Sequence, residues 1–250
     1  MRALAGLVAA TGLAWAGGAS AAEPFEFDRP GIGFSTSVLA PGEFAWEQGL
    51  PDVERDTADG VRTRTQTFGS LLRIGLGASL ELQLAGEPHV RMAARSADAR
   101  TRAHGAGDTR VGLKWALPAS GDLEWALLAQ YGLQTGSQDL RPERHARSLA
   151  ATVGGETAGG RGYAVFAGYA QDDAGSGWQL SPSLTLFDGD TLSTYIEAAV
   201  GSGAAEGVVA GGGLTWQPRE RVQFDVSVLR GLDDAAADWA GGIGLSVGFR

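Results

Sequence analysis

The 250-residue sequence has no cysteine, three histidines and no apolar run long enough for a membrane helix. The missing cysteine excludes disulfides, thiolate metal sites, a thiol nucleophile and a lipid anchor on an N-terminal cysteine. His89, His104 and His145 lie far apart and lack metal-ligand spacing. No metal and no cofactor are therefore expected. Basic residues are in deficit, with a net charge of −9. That excludes nucleic acid, which needs a basic face. The apolar run Ala3–Ala16 falls short of the roughly 20 residues of a span. With Met1-Arg2 before it and Ala19-Ser20-Ala21 after it, the run reads as an export signal, cleaved to leave residues 22–250.

What the chain has in excess is glycine, 39 residues against an ordinary usage of about 7%. Glycine weakens helices, so a helical bundle is excluded. A second pattern starts near residue 43: about ten alternating residues, then a turn. Val111, Leu113, Trp115 and Leu117 share one face, while Arg110, Gly112, Lys114 and Ala116 share the other. Val222, Phe224, Val226 and Val228 oppose Arg221, Gln223, Asp225 and Ser227. Ile243, Leu245, Val247 and Phe249 oppose Gly242, Gly244, Ser246 and Gly248. Period two is the mark of a strand.

Twelve strands are expected, near 43–53, 62–76, 79–92, 107–117, 122–134, 146–156, 162–171, 177–187, 191–200, 207–216, 221–230 and 238–249. Tight connections, such as Gly77-Ala78-Ser79 and Asp188-Gly189-Asp190, largely alternate with longer polar ones, such as Ala93–Ala106 and Thr135–His145. Trp46, Trp115, Trp125, Tyr163, Phe187, Trp216 and Phe249 fall at one set of strand ends. Phe68, Tyr131, Tyr169, Trp178 and Trp239 fall at the other. Two aromatic girdles and alternating loop lengths predict a closed antiparallel transmembrane β-barrel with both termini periplasmic. Closure is required because an unpaired backbone group in lipid costs several kcal/mol. Residues 22–42 precede the first strand, as either a plug or a periplasmic tail. The acidic stretch Asp52–Asp59 reads as solvated surface.

The inward face then carries Arg73, Glu81, Gln83, Arg110, Lys114, Glu124, Gln130, Tyr195, Glu197, Arg221, Gln223 and Asp225. These line a wet, charge-selective pore, or pair across a closed lumen. A barrel lipase would need a Ser–His pair, and no histidine sits beside a serine in a strand pattern. The chain is therefore not expected to be an enzyme.

Several segments resemble the meta-pathway phenol-degradation-like family of outer-membrane transporters. Phe27-Asp28-Arg29-Pro30-Gly31 looks like the family's opening TDRP motif. Val38–Gly49, Ser70–Leu84, Gly105–Leu117 and Gly231–Trp239 are similar to four later motifs, in the same order. The last strand resembles the assembly signal of outer-membrane proteins, although Arg250 replaces the usual terminal aromatic. The resemblance implies an outer-membrane channel for small solutes, aromatic or hydrophobic ones among them, crossing by passive diffusion. The implied partners are membrane lipid, the outer-membrane assembly machinery and the solute. A non-conducting structural or interaction barrel is the alternative, and a lipid-modifying barrel the third reading.

Overall fold

The computed structural model describes residues 25–140, 145–173 and 175–250. The export signal lies outside them. Thirteen strands form one antiparallel sheet: β1 (Phe44–Ala58), β2 (Val61–Gly75), β3 (Leu80–Arg95), β4 (Arg100–Gly105), β5 (Thr109–Ser120), β6 (Leu123–Leu133), β7 (Arg147–Glu156), β8 (Gly162–Asp172), β9 (Gly175–Asp188), β10 (Leu192–Ser202), β11 (Gly207–Arg219), β12 (Val222–Gly231) and β13 (Trp239–Phe249). Strands pair with their sequence neighbours except that β5 pairs with β3 rather than β4, and β1 pairs with β13, Phe44 opposite Phe249. The sheet is thus closed into a ring, and β4, paired with β3 alone, keeps one unpaired side beyond it.

The ring has twelve positions, because β4 and β5 share one. Val90–Arg95 of β3 pairs with β4, and Leu80–Gly86 pairs with β5. The expected polar loop Ala93–Ala106 is therefore corrected to a β-hairpin that prolongs the barrel wall. His89 lies in β3, and His104, within that expected loop, lies in β4. A similar correction applies to Asp52–Asp59. β1 runs on to Ala58 and turns through Asp59-Gly60, both at positive φ.

Alternation decides which side chains meet which medium. Leu113 is 47% exposed while Lys114 beside it is 0% exposed. Trp46, Trp115, Trp125, Trp216, Val226 and Phe249 are exposed, whereas Arg73, Lys114, Gln83, Glu47 and Glu81 are the largest fully buried side chains among the described residues. This inverts the usual order of soluble proteins, in which charged groups are almost never fully buried. Hydrocarbon outside and polar groups inside give that order a physical cause. Exposed aromatics mark both ends: Phe44, Trp115, Phe187 and Trp216 near the termini, Tyr131, Tyr169 and Trp178 at the far end. The connections at the terminal end are all short. The far end carries the two longest, between β6 and β7 and between β12 and β13.

Candidate functional site

The lumen is occupied by the chain's own N-terminal segment. Phe25–Ala40 runs inside the barrel ahead of β1, and lumen-facing side chains hold it along its length. At the terminal mouth Phe25, Phe27, Leu39 and Ala45 form a buried apolar cluster. Arg221 and Arg250 stand over the Phe25 ring, 5.7 and 5.5 Å from its centre. The small inner face of β13 makes this seat possible. A Cβ on Gly248 would fall 2.5 Å from the Phe25 ring, and one on Gly244 would fall 2.4 Å from the Arg29 Nε.

Deeper in, buried charges take over. The Arg73 guanidinium donates twice to Glu81, at 2.8 and 2.9 Å, and once to Glu47, at 3.1 Å. It also donates to the Glu26 carbonyl at 2.8 Å. Glu47 accepts the backbone N–H groups of Asp28 and Arg29, at 3.0 and 2.8 Å. Asp28 accepts from Lys114 Nζ, Gln83 Nε2 and the Ser35 N–H, each at 2.9 Å. Burial alone would raise the Asp28 carboxyl, but the charges of Arg73 and Lys114 outweigh it and hold that carboxyl well below the usual carboxylate range. Glu81 also accepts the Leu39 N–H at 3.0 Å. Arg29 completes the motif. It grips Asp52 through both oxygens, at 3.0 and 2.9 Å, and reaches Asp225 at 3.2 Å. Bidentate guanidinium–carboxylate pairs of this kind fix geometry as well as charge.

Three further ties cross the lumen. Glu197 accepts the Ile32 N–H at 2.9 Å, Gln223 donates to the Arg29 carbonyl at 3.1 Å, and Glu124 accepts from the Thr36 hydroxyl at 2.8 Å. Of the twelve inward residues named from sequence, eight bond to the segment or lie in its ion cluster: Arg73, Glu81, Gln83, Lys114, Glu124, Glu197, Gln223 and Asp225. Arg221 meets it through the Phe25 ring. Arg110 instead pairs with Glu87 at 3.3 Å, and Gln130 meets Ser148 at 3.4 Å. Both line open space, as does Tyr195. Asp52 is corrected from solvated surface to lumen. A bulge between Gly49 and Asp52 shifts the register of β1 against both neighbours. Beyond it the even positions, not the odd ones, turn inward.

The opposite wall is built differently. Ser181, Ser183, Thr185, Ser193 and Thr215 from β9 to β11 face a cavity of about 410 Å³ beside the segment. The Thr152 hydroxyl is buried there with no protein partner among the described residues. A second cavity, of about 390 Å³, lies toward the far end and has Leu71, Ala85, Leu128, Ala150 and Gly168 in its wall. Both cavities are bordered by Phe34 of the segment and Phe166 of β8. These rings meet edge to face with centres 5.9 Å apart. Neither was picked out from sequence, although Phe166 sits at an inward position between Ala164 and Gly168. A bulky aromatic among small inward residues was the available signal. No group of three or more candidate metal ligands occurs among the described residues.

Comparison with known proteins places this architecture. A family model described as "Putative MetA-pathway of phenol degradation" matches residues 27–249. No curated protein matches the sequence significantly. Among solved structures, the chain is similar to the COG4313 outer membrane channel from Pseudomonas putida F1. The TM-score is 0.69 at 9% identity, over 85% of this chain and 97% of that one. It is also similar to the KdgM porin in complex with disordered oligogalacturonate, with a TM-score of 0.53 at 8% identity over 83% and 99%. The translocator domain of autotransporter NalP from Neisseria meningitidis gives 0.50 at 12% identity over 85% and 89%. At these identities the likeness is one of fold.

Proposed function

The chain belongs to the family described as "Putative MetA-pathway of phenol degradation", and from that premise we propose that it is an outer-membrane channel for small solutes. The passage is the space between the docked N-terminal segment and the β7–β11 wall, and its narrowest point is the Phe34–Phe166 pair. The observation that carries this reading is the shared border of the two cavities. Each lies at the lower end of the volumes that hold small organic ligands. The first is walled by hydroxyls, which suit a hydrated entry. The second is walled largely by apolar side chains, which suit a monocyclic aromatic or another compact hydrophobic group. Solutes cross by passive diffusion down their gradient. The COG4313 relative, named an outer membrane channel, lends support through its fold. Short turns at the terminal end support a periplasmic position for that end, by the ordinary rule for such barrels.

The dense network around Asp28 and Arg29 favours a second reading, a barrel kept closed by its segment. Planar-bilayer recording of the refolded chain separates the two. A channel conducts, and Phe166→Ala raises its single-channel current while Phe166→Trp lowers it. Silence from a well-folded barrel in both wild type and Phe166→Ala contradicts the channel and leaves the closed barrel.

A further inference from the structure

Lys114 is the chain's sole lysine, so its positive charge is almost all guanidinium. Arginines gather on the outer face of the far end, where β1 to β4 extend past the aromatic girdle. Strand register lines them up. One row runs Arg62, Arg95, Arg100, each directly opposite the next across β2, β3 and β4. The row below runs from Arg230 of β12 through Trp239 and Arg55 to Arg64, then through Ala93 to Arg102. Arg91 lies in the third row, opposite Gln66 and His104. All eight arginines are exposed.

Their direction follows from their neighbours. Glu54, Asp56, Thr63, Thr65 and Met92 line lumen cavities. The residues alternating with them therefore point outward, and the acids that could neutralise the arginines point in. None of the eight forms an ion pair among the described residues. Arg55 lies 4.9 Å over the Trp239 ring and Arg91 donates to His89. Asp59 and Asp98 occupy the hairpin tips, and Asp238 accepts from Thr57. Like charges directly opposite on adjacent strands are destabilising, so these rows call for an external anion. The guanidinium fork matches phosphate bidentately. Trp239 marks the interface level, and from Arg55 over its ring the rows climb away from the hydrocarbon across the tilted strands, on the headgroup side of the girdle.

We propose that this face is a docking surface for the phosphorylated headgroups of lipid in the leaflet at the far end, which is the outer leaflet if the orientation above holds. The inference depends on that channel reading only for orientation, and its test does not use conductance as the readout for binding. The probes are bisphosphorylated lipid A, its dephosphorylated form and inorganic phosphate, titrated into the full chain in zwitterionic detergent. Binding is followed by native mass spectrometry and by the thermal unfolding midpoint. Bisphosphorylated lipid A binds the wild type in a salt-sensitive manner and raises its midpoint. The triple variant Arg62→Gln, Arg95→Gln, Arg100→Gln weakens binding roughly a hundredfold, about fivefold per charge removed. Without lipid, the variant is at least as heat-stable as the wild type, because its repulsion is relieved. Arg64→Gln with Arg102→Gln repeats the test on the neighbouring row should the triple variant misfold. Equal binding by wild type and variants, or equal binding of both lipid A forms, overturns the proposal. Displacement of lipid A by inorganic phosphate at matched concentration also overturns it, by assigning a free-anion site instead. Unchanged conductance in the variants keeps the channel reading separate.

Discussion

The two halves of the lumen follow the same alternation and hold different contents. From β1 to β5 the inward residues Glu47, Arg73, Glu81, Gln83 and Lys114 are buried and tied to the N-terminal segment or its ion cluster. From β7 to β11 they are mainly serine, threonine, glycine and alanine, and space remains. A twelve-strand barrel is wider than the eight-strand barrels that side chains alone can fill. Here one half is closed by a strip of backbone held by charges, and the other half is left as a passage. The difference teaches that an inward charge is not by itself a pore charge. Lys114, read from sequence as a selectivity candidate, has its ammonium on Asp28 at 2.9 Å. Its reversal would disturb the fold before it altered selectivity.

The comparison breaks most readily at Arg73. Arg73→Ala leaves Glu47, Glu81 and Asp28 buried without their shared cation, which costs about 3–5 kcal/mol. Urea unfolding in lipid vesicles measures this loss, and a loss below about 1 kcal/mol would mean that the charged half is wetter than described. Next comes the face assignment on which both halves rest. Leu113→Arg puts a charge on the lipid side and costs about 2–4 kcal/mol near the bilayer midplane. A polar substitution at Gln130, which faces open lumen, is tolerated in the same assay.

A smaller effect comes with pH. An unfolded aspartate titrates near about 3.9, and Asp28 in the folded barrel titrates below that. Its contribution is therefore complete above the unfolded value and is lost as pH falls through the folded one. The gap in unfolding midpoint between wild type and Asp28→Asn stays constant from neutral pH down to roughly pH 4.5, then narrows. A gap already closed near neutrality would contradict the ion contacts drawn for Asp28. Least disruptive are Ser183→Ala and Thr215→Val on the open wall. Each changes stability by no more than about 0.5 kcal/mol yet alters single-channel current. Unaltered current would move the passage elsewhere.

Sequence alternation carried the barrel, its twelve-position ring and the sorting of Leu113 from Lys114. It could not say which inward charges meet, because parity gives a face and not the partner across the lumen. Asp52 escaped because the bulge after Gly49 reverses parity in mid-strand. β4 escaped because, beyond the membrane, both faces of a hairpin are polar and the alternation fades. The Asp28-Arg29-Pro30 motif stood out by resemblance. Its purpose emerged only with Glu47, Asp52 and Asp225 around it, residues separated from it by up to 197 positions.

The central claim is that solutes pass beside a segment that stays docked. A chain without cysteine allows a clean test. A Cβ on Gly154 would stand 3.4 Å from Thr36 Cγ2, within reach of a disulfide. In Thr36→Cys with Gly154→Cys, single-channel current is recorded oxidised and then reduced. The account predicts the same current in both states. Current that appears only on reduction would show that the segment must leave its seat before anything crosses.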